Sequence, residues 1–288
     1  MDVAFEHWSA SWPVLIVYVF LASAHLAGLP RTLAAANGTV PATATRRELV
    51  REAVMFQLGL AVIAAALLSP MGYLSDVYIW VRALQELLVA VVGPGLIVLG
   101  APWAALRLAS GPSAPRWLTW LAARPRITVI GANVVWLGWL LPGLYDAVHG
   151  SAGLALVEHL SYVVAGLLFW FQIISSRPLA QRTSPIRRFG LVVGTAGAFT
   201  VVGMVLVFGS GVFYPVYANS AHHLTTVLDD QQLSGAVLWM GILLPLMVAG
   251  VALLMEWFSN EESAELTAGL DRLLAQGPRG WPSRPGIR

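Results

Sequence analysis

The sequence predicts an all-α, polytopic membrane protein with seven transmembrane helices, and three observations predict it. The first is composition. Of 288 residues, 57% are hydrophobic and 11% charged, with a mean hydropathy of +0.71, far outside the range of soluble globular chains. The second is run length. Apolar segments fall at about 12–29, 53–69, 84–101, 127–144, 154–174, 189–209 and 235–257, each long enough to cross a hydrocarbon core roughly 30 Å thick with some tilt. The third is the distribution of arginine. Arg31, Arg46, Arg47 and Arg51 fall between segments 1 and 2, and Arg107, Arg116, Arg124 and Arg126 between 3 and 4. Arg177, Arg182, Arg187 and Arg188 fall between 5 and 6, and Arg272, Arg279, Arg284 and Arg288 in the tail. Sixteen of the 17 basic residues thus share one side of a seven-span topology, and only Arg82 falls on the other. Basic short loops mark the cytoplasm, so the N-terminus is expected outside and the C-terminus inside.

Composition also excludes chemistry. There is no cysteine, hence no disulfide framework, thiolate metal site or c-type haem attachment. There is no lysine either, which removes Schiff-base chemistry. Asp2 and Glu6 stand where a signal peptide would carry its basic region, so no cleaved leader is expected.

Taken in order, the segments differ in character. Segment 3 begins with Arg82, Gln85 and Glu86 and carries Gly93-Pro94-Gly95 at mid-membrane, where a kink or unwinding is expected. Arg82 and Glu86 are four apart and can pair on one helical face, or that face can look into a shared polar pocket. Arg116-Trp117-Leu118-Thr119-Trp120-Leu121 reads as an interfacial stretch with aromatic anchors. Segment 5 contains Glu158-His159. A carboxylate there points to function or to pairing with Arg82. Gly190, Gly194 and Ala198 repeat every four residues along segment 6, with Gly197 and Gly203 nearby, a pattern suited to close helix packing. His222-His223 and Asp229-Asp230-Gln231-Gln232 are expected in the loop before segment 7. Residues 1–258 form one transmembrane domain in this reading. Residues 259–288 form a cytoplasmic amphipathic tail, with Leu266, Leu270, Leu273 and Leu274 on one stripe.

The face opposite the arginines is acidic and rich in histidine: Asp2, Glu6, Asp76, Glu86, Asp146, Glu158, Asp229 and Asp230, with every histidine except His25. Such a face attracts cations. Imidazole and carboxylate ligands suit copper or zinc, which makes Glu158, His159, His222 and His223 the candidate metal ligands. Arg82, Gln85, Glu86, Asp230 and Gln231 are the candidate polar binding residues beside them. No nucleophile–base arrangement, phosphate loop or nucleic-acid signature is present, so no enzyme is expected.

Four blocks carry a resemblance: LVAVVGPGLIVLGAPWAALR, NVVWLGWLLPGLYDAVHG, VEHLSYVVAGLLFWF, and FYPVYAN followed by LDDQQLSGAVLW. In this order and spacing, over about residues 70–245, the chain resembles the CtaG-type cytochrome c oxidase assembly proteins. The resemblance implies seven helices and a role in delivering or inserting copper at the outer face of a haem–copper oxidase. It implies oxidase subunits, or another respiratory membrane complex, as partners within a bacterial plasma membrane. Glu158, His159, Tyr145, Asp146, Asp230, Gln231 and Trp239 match the family pattern. Three places depart from it. A His-x-x-x-His pattern at the head of helix 3 is here Arg82-Ala83-Leu84-Gln85-Glu86. A Trp-His-x-Pro motif is Trp139-Leu140-Leu141-Pro142, and a histidine three positions before the Glu-His pair is Ala155. The substitution at helix 3 reads as a metal site converted into a salt bridge. Two further functions stay open: an accessory subunit without metal, and a small-molecule transporter or receptor using the outer cavity.

Overall fold

A computed structural model describes residues 12–37, 45–102, 106, 120–121, 123–176, 183–219 and 226–275. Among them every regular element is helical. The helices are α1 (Trp12–Asn37), α2 (Arg46–Leu68), α3 (Met71–Val77), α4 (Ile79–Leu87), α5 (Gly93–Leu99), α6 (Pro125–Trp139), α7 (Pro142–His149), α8 (Ala152–Ile173), α9 (Pro185–Phe208) and α10 (Val227–Ala275). A π-helical turn, Leu88–Val92, joins α4 to α5, and a 3-10 turn lies at Pro215–Asn219. Among the described residues, six spans are long and apolar enough to cross a membrane, or seven with the bent pair α6–α7 taken as one.

Local chemistry sets the boundaries. Thr45 and Glu48 form a reciprocal capping box at the start of α2, with Thr45 N to Glu48 Oε2 at 2.7 Å and Glu48 N to Thr45 Oγ1 at 3.3 Å. Ser151 caps α8 by accepting from Leu154 N. Pro125, Pro142 and Pro185 open α6, α7 and α9, where a missing N–H costs little. The same Pro142 breaks the fourth span. Leu141 precedes it and is extended at φ −65°, ψ 130°, because a residue before proline avoids helical geometry. The expected single helix over 127–144 is therefore two helices at 66°.

The span running from Ile79 to Leu99 is the centre of the bundle. It is 78% buried, against 39% or less for each of the other five unbroken spans. The expected disruption at Gly93-Pro94-Gly95 takes a specific form here. Pro94 lacks the N–H that Ala90 O would receive and its ring crowds that carbonyl. The helix widens into the π turn just before it and then continues. Neighbours satisfy and shield the disturbed backbone. Trp170 Nε1 donates to Val91 O at 2.8 Å. Gly166 of α8 lies so close that a Cβ there would overlap Ala90 O and the Pro94 ring. On the other side Gly59 of α2 packs against Gly93 O and Ile97.

Around this axis α10 packs along α9 and against α4, α2 packs against α5, and α8 packs against α6, α5 and the π turn. Helix α1 leans mainly on α2, where His25 stacks on Phe56 with centroids 4.1 Å apart and meets Gln57. Two expectations need correction. Gly190 and Gly194 are exposed, with nothing within 4 Å of a Cβ at either. Of the glycines expected to pack, Gly203 does so in the α9–α10 contact, where it meets Gly235 O and Trp239. The last span begins at Val227 rather than 235, so Asp229, Asp230, Gln231 and Gln232 lie in its first turns. It runs without interruption to Ala275, through the 258/259 division.

Substituting Gly166→Ala forces α8 off the π turn. We expect a loss of about 1–3 kcal/mol of stability, read as earlier thermal unfolding in detergent. Gly197→Ala, which meets nothing, should unfold like wild type. Equal midpoints for the two variants would remove the close contact as a determinant of the fold.

Candidate functional site: a buried arginine between two carboxylates

The head of α4 carries three ionisable or polar side chains, each at most 6% exposed: Arg82, Gln85 and Glu86. Arg82 is the hub. Its Nε donates to Glu86 Oε1 at 2.9 Å and its Nη2 to Glu158 Oε1 of α8 at 2.8 Å. Nη1 reaches Tyr145 O at 3.4 Å, and the guanidinium lies 3.8 Å from the centre of the Tyr145 ring. One planar cation therefore ties α4, α8 and α7 together through two ion pairs, a carbonyl and an aromatic face. The helical offset explains the first pair, since residues four apart share a face. The second pair is long-range, and the sequence could give it only as an alternative.

A tyrosine wall closes the cluster. The Tyr145 and Tyr214 rings lie 4.1 Å apart, and Tyr217 stands 6.2 Å from Tyr145. Tyr214 OH donates to Leu140 O at 2.9 Å and Tyr217 OH to Ser75 O at 2.7 Å. Burial raises both hydroxyls, Tyr217 to about 12, so both remain neutral donors near neutral pH. These tyrosines were legible only as part of the FYPVYAN block; their role as lids over an arginine was not.

The remaining polar candidates act as tethers. Asp230 is fully buried and accepts from Ile79 N at 2.8 Å and Trp80 N at 3.1 Å. It caps α4 from a helix 150 residues away in the chain, and its charge suits the positive helix end. Gln231 accepts from Phe213 N at 2.7 Å and donates to Gly211 O at 3.0 Å, which holds the loop carrying Tyr214. Gln85 donates to Ala66 O of α2 at 2.8 Å. Five of the predicted residues, Arg82, Gln85, Glu86, Glu158 and Asp230, thus converge on the head of α4, while Gln231 engages the loop before α10.

His159 follows Glu158, is half-buried, and has no hydrogen-bond partner among the described residues. His222 and His223 lie outside the described residues. No group of three or more metal-ligating side chains occurs among those described. Beneath the cluster a cavity of about 20 Å³ is lined by Glu86, Tyr162 and Trp136 with apolar neighbours, room for a single water. The Trp136 indole N–H faces no partner among the described residues. At the opposite end of the bundle, Arg188 is buried and pairs with Glu256 while donating to Ile173 O and Ser175 Oγ. This arginine, expected in a loop, is an interior tie.

These features define a helical membrane bundle whose core is locked by ion pairs. The chain belongs to the Caa3_CtaG family of cytochrome c oxidase caa3 assembly factors, whose family profile matches residues 38–260. It is also 26% identical over 183 residues to an uncharacterized protein of Mycobacterium bovis and to one of Mycobacterium tuberculosis. That match covers 57% of this chain but only 27% of each relative, so the chain corresponds to about a quarter of their length. No solved structure matches.

Removing the hub alone should be the most damaging change. Arg82→Leu leaves two buried carboxylates uncompensated, and we expect a loss of about 3–5 kcal/mol. Arg82→Leu/Glu86→Leu/Glu158→Leu removes the charges together and should recover most of that loss, measured by denaturant unfolding in micelles. Asp230→Ala strands two buried N–H groups at the head of α4 and should cost about 1–3 kcal/mol. Asp230→Asn, which keeps an acceptor, should cost less.

Proposed function

We propose that this protein supports assembly of a haem–copper cytochrome c oxidase by binding an oxidase subunit, without catalysing a reaction. In this reading it spans the bacterial plasma membrane with its N-terminus outside and its C-terminus in the cytoplasm. Family membership supports the oxidase as target. The grouping of arginines on one side of the spans supports the orientation. The absence of a nucleophile–base arrangement in the sequence fits a binding role.

The observation that carries the reading is the Arg82–Glu86–Glu158 lock. The resemblance puts imidazoles at the head of helix 3; here a guanidinium stands there and engages both carboxylates. A fixed positive charge opposes a metal cation at short range, and Glu158 Oε1 is already an ion-pair partner. The core cluster therefore does not fit copper. It fits a rigid platform that fixes the outward ends of α4, α7 and α8.

Copper delivery at the outer face is the second reading, and His159 favours it. Its ring is half-buried beside the lock with no hydrogen-bond partner among the described residues. With His222 and His223 it would supply the imidazoles that soft Cu(I) prefers. Copper is cargo in this reading, handled beside the lock rather than within it.

Deleting the gene in its host should lower the amount of assembled oxidase in the membrane, and wild type should restore it. The His159→Ala/His222→Ala/His223→Ala variant separates the readings. On the platform reading it restores assembled oxidase with normal copper content. Oxidase that assembles but lacks copper would establish delivery instead, as would about one Cu(I) per purified chain that the variant loses. An unchanged oxidase level after deletion would sink both.

A further inference from the structure

The glycine stripe that no helix uses lies beside a basic cleft, and together they describe a ligand. Helices α6 and α9 meet where Asn133 Nδ2 donates to Thr195 Oγ1 at 2.9 Å. Below that point Trp136 contacts Phe199 edge-on. In the other direction, toward Pro125 and Pro185, the two helices leave a cleft of about 790 Å³ between their N-terminal ends. Arg124, Arg126 and Arg187 line it with Thr183. All three arginines are exposed. Arg124 is steadied over the Trp120 ring at 4.2 Å. Neither Arg126 nor Arg187 has an ion-pair partner among the described residues.

The floor of the cleft is apolar and continues into the span. On α6 the outward residues are Ile127, Ile130 and Val134, at 63%, 61% and 65% exposure. On α9 they are Gly190 and Gly194, bare of neighbours, with Val193 beside them. Ile127, Gly190 and Leu191 line the cleft itself, and the exposed aliphatics of α6 and the bare glycines of α9 run on from it along their own helices. Three cations stand at its mouth, where both spans begin. The mouths of α6 and α9 also add the positive ends of two helix dipoles.

We infer that this cleft is a binding site for an anionic phospholipid, with the phosphodiester held by Arg126, Arg187 and Arg124 and an acyl chain laid along Gly190 and Gly194. Charge complementarity selects the headgroup, because three cations without carboxylate partners among the described residues, at a membrane edge, favour an anionic lipid over a zwitterionic one. The bare glycine face running on from the cleft selects a lipid over a free phosphate, since only the lipid has a chain to lay on it. This accounts for the stripe that the helix packing leaves unused.

The test is native mass spectrometry of the full chain, delipidated in non-ionic detergent and titrated with phosphatidylglycerol or phosphatidylcholine. Wild type should retain phosphatidylglycerol in clear preference to phosphatidylcholine. Arg126→Gln/Arg187→Gln should weaken retention by on the order of tenfold or more. Gly190→Leu/Gly194→Leu, which leaves every charge in place, should weaken it as well. Arg46→Gln/Arg47→Gln removes the same charge elsewhere on the arginine-bearing side and should leave retention unchanged. Equal retention of the two lipids overturns the site. So does wild-type retention by the Arg126/Arg187 variant, or an equal loss in the Arg46/Arg47 variant. Should the arginine variant fail to fold, full retention by the glycine variant overturns it alone. Displacement of the lipid by millimolar inorganic phosphate would reassign the cleft to a free anion.

Discussion

The structure depends on a single cation in a place where cations are expensive. Arg82 lies within the most buried span of the bundle, and it is tolerable there only because every direction around its guanidinium is occupied. Two carboxylates, a carbonyl and a tyrosine face take those directions. In a low-dielectric interior such an arrangement contributes less through net energy than through the cost of any departure from it. Each alternative packing of α4, α7 or α8 would strand a charge. That constraint fixes the relative positions of three helices that apolar contacts alone would let slide, because lipid offers apolar surfaces nearly the same comfort as protein.

The polar residues around the lock extend the same principle to elements that carry no charge. Asp230 reaches from α10 to cap α4, Gln231 holds the loop with Tyr214, and Gln85 reaches α2. The π turn is the apolar counterpart. A proline opens the backbone, and Trp170 and Gly166 from α8 close it again. Specificity in this bundle comes from a few directional contacts on a background of interchangeable aliphatics.

Much of this was legible in the sequence, and the exceptions have physical reasons. Helical class and the approximate spans follow from apolar run length, and the rarity of charge in such runs singles out Arg82, Glu86 and Glu158. The Arg82–Glu86 pair follows from spacing alone. The pairing with Glu158 could be raised but not chosen, because no local rule ranks long-range partners. The bend at Leu141 was readable from Pro142 and was missed because the apolar run crosses it unbroken. The glycine stripe of α9 misled in the opposite way: small residues permit close approach but do not name what approaches. Asp230 reads from sequence as a polar binding residue in a loop because its carboxylate stands among polar neighbours, whereas the structure gives it backbone amides of another helix as partners. The cap could not be found without the fold.

Helix α10 carries one more implication. At about 1.5 Å per residue, its 49 residues form a rod about 73 Å long, more than twice the thickness of a hydrocarbon core of roughly 30 Å. One end is anchored by Asp230 at the head of α4 and the other stands clear of the bundle, with Leu266 and Leu270 exposed. Pro245 lies between them, the natural place for such a rod to flex. Small changes of tilt within the bundle are therefore geometrically amplified at the far end, which makes this helix a mechanical pointer from one side of the protein to the other.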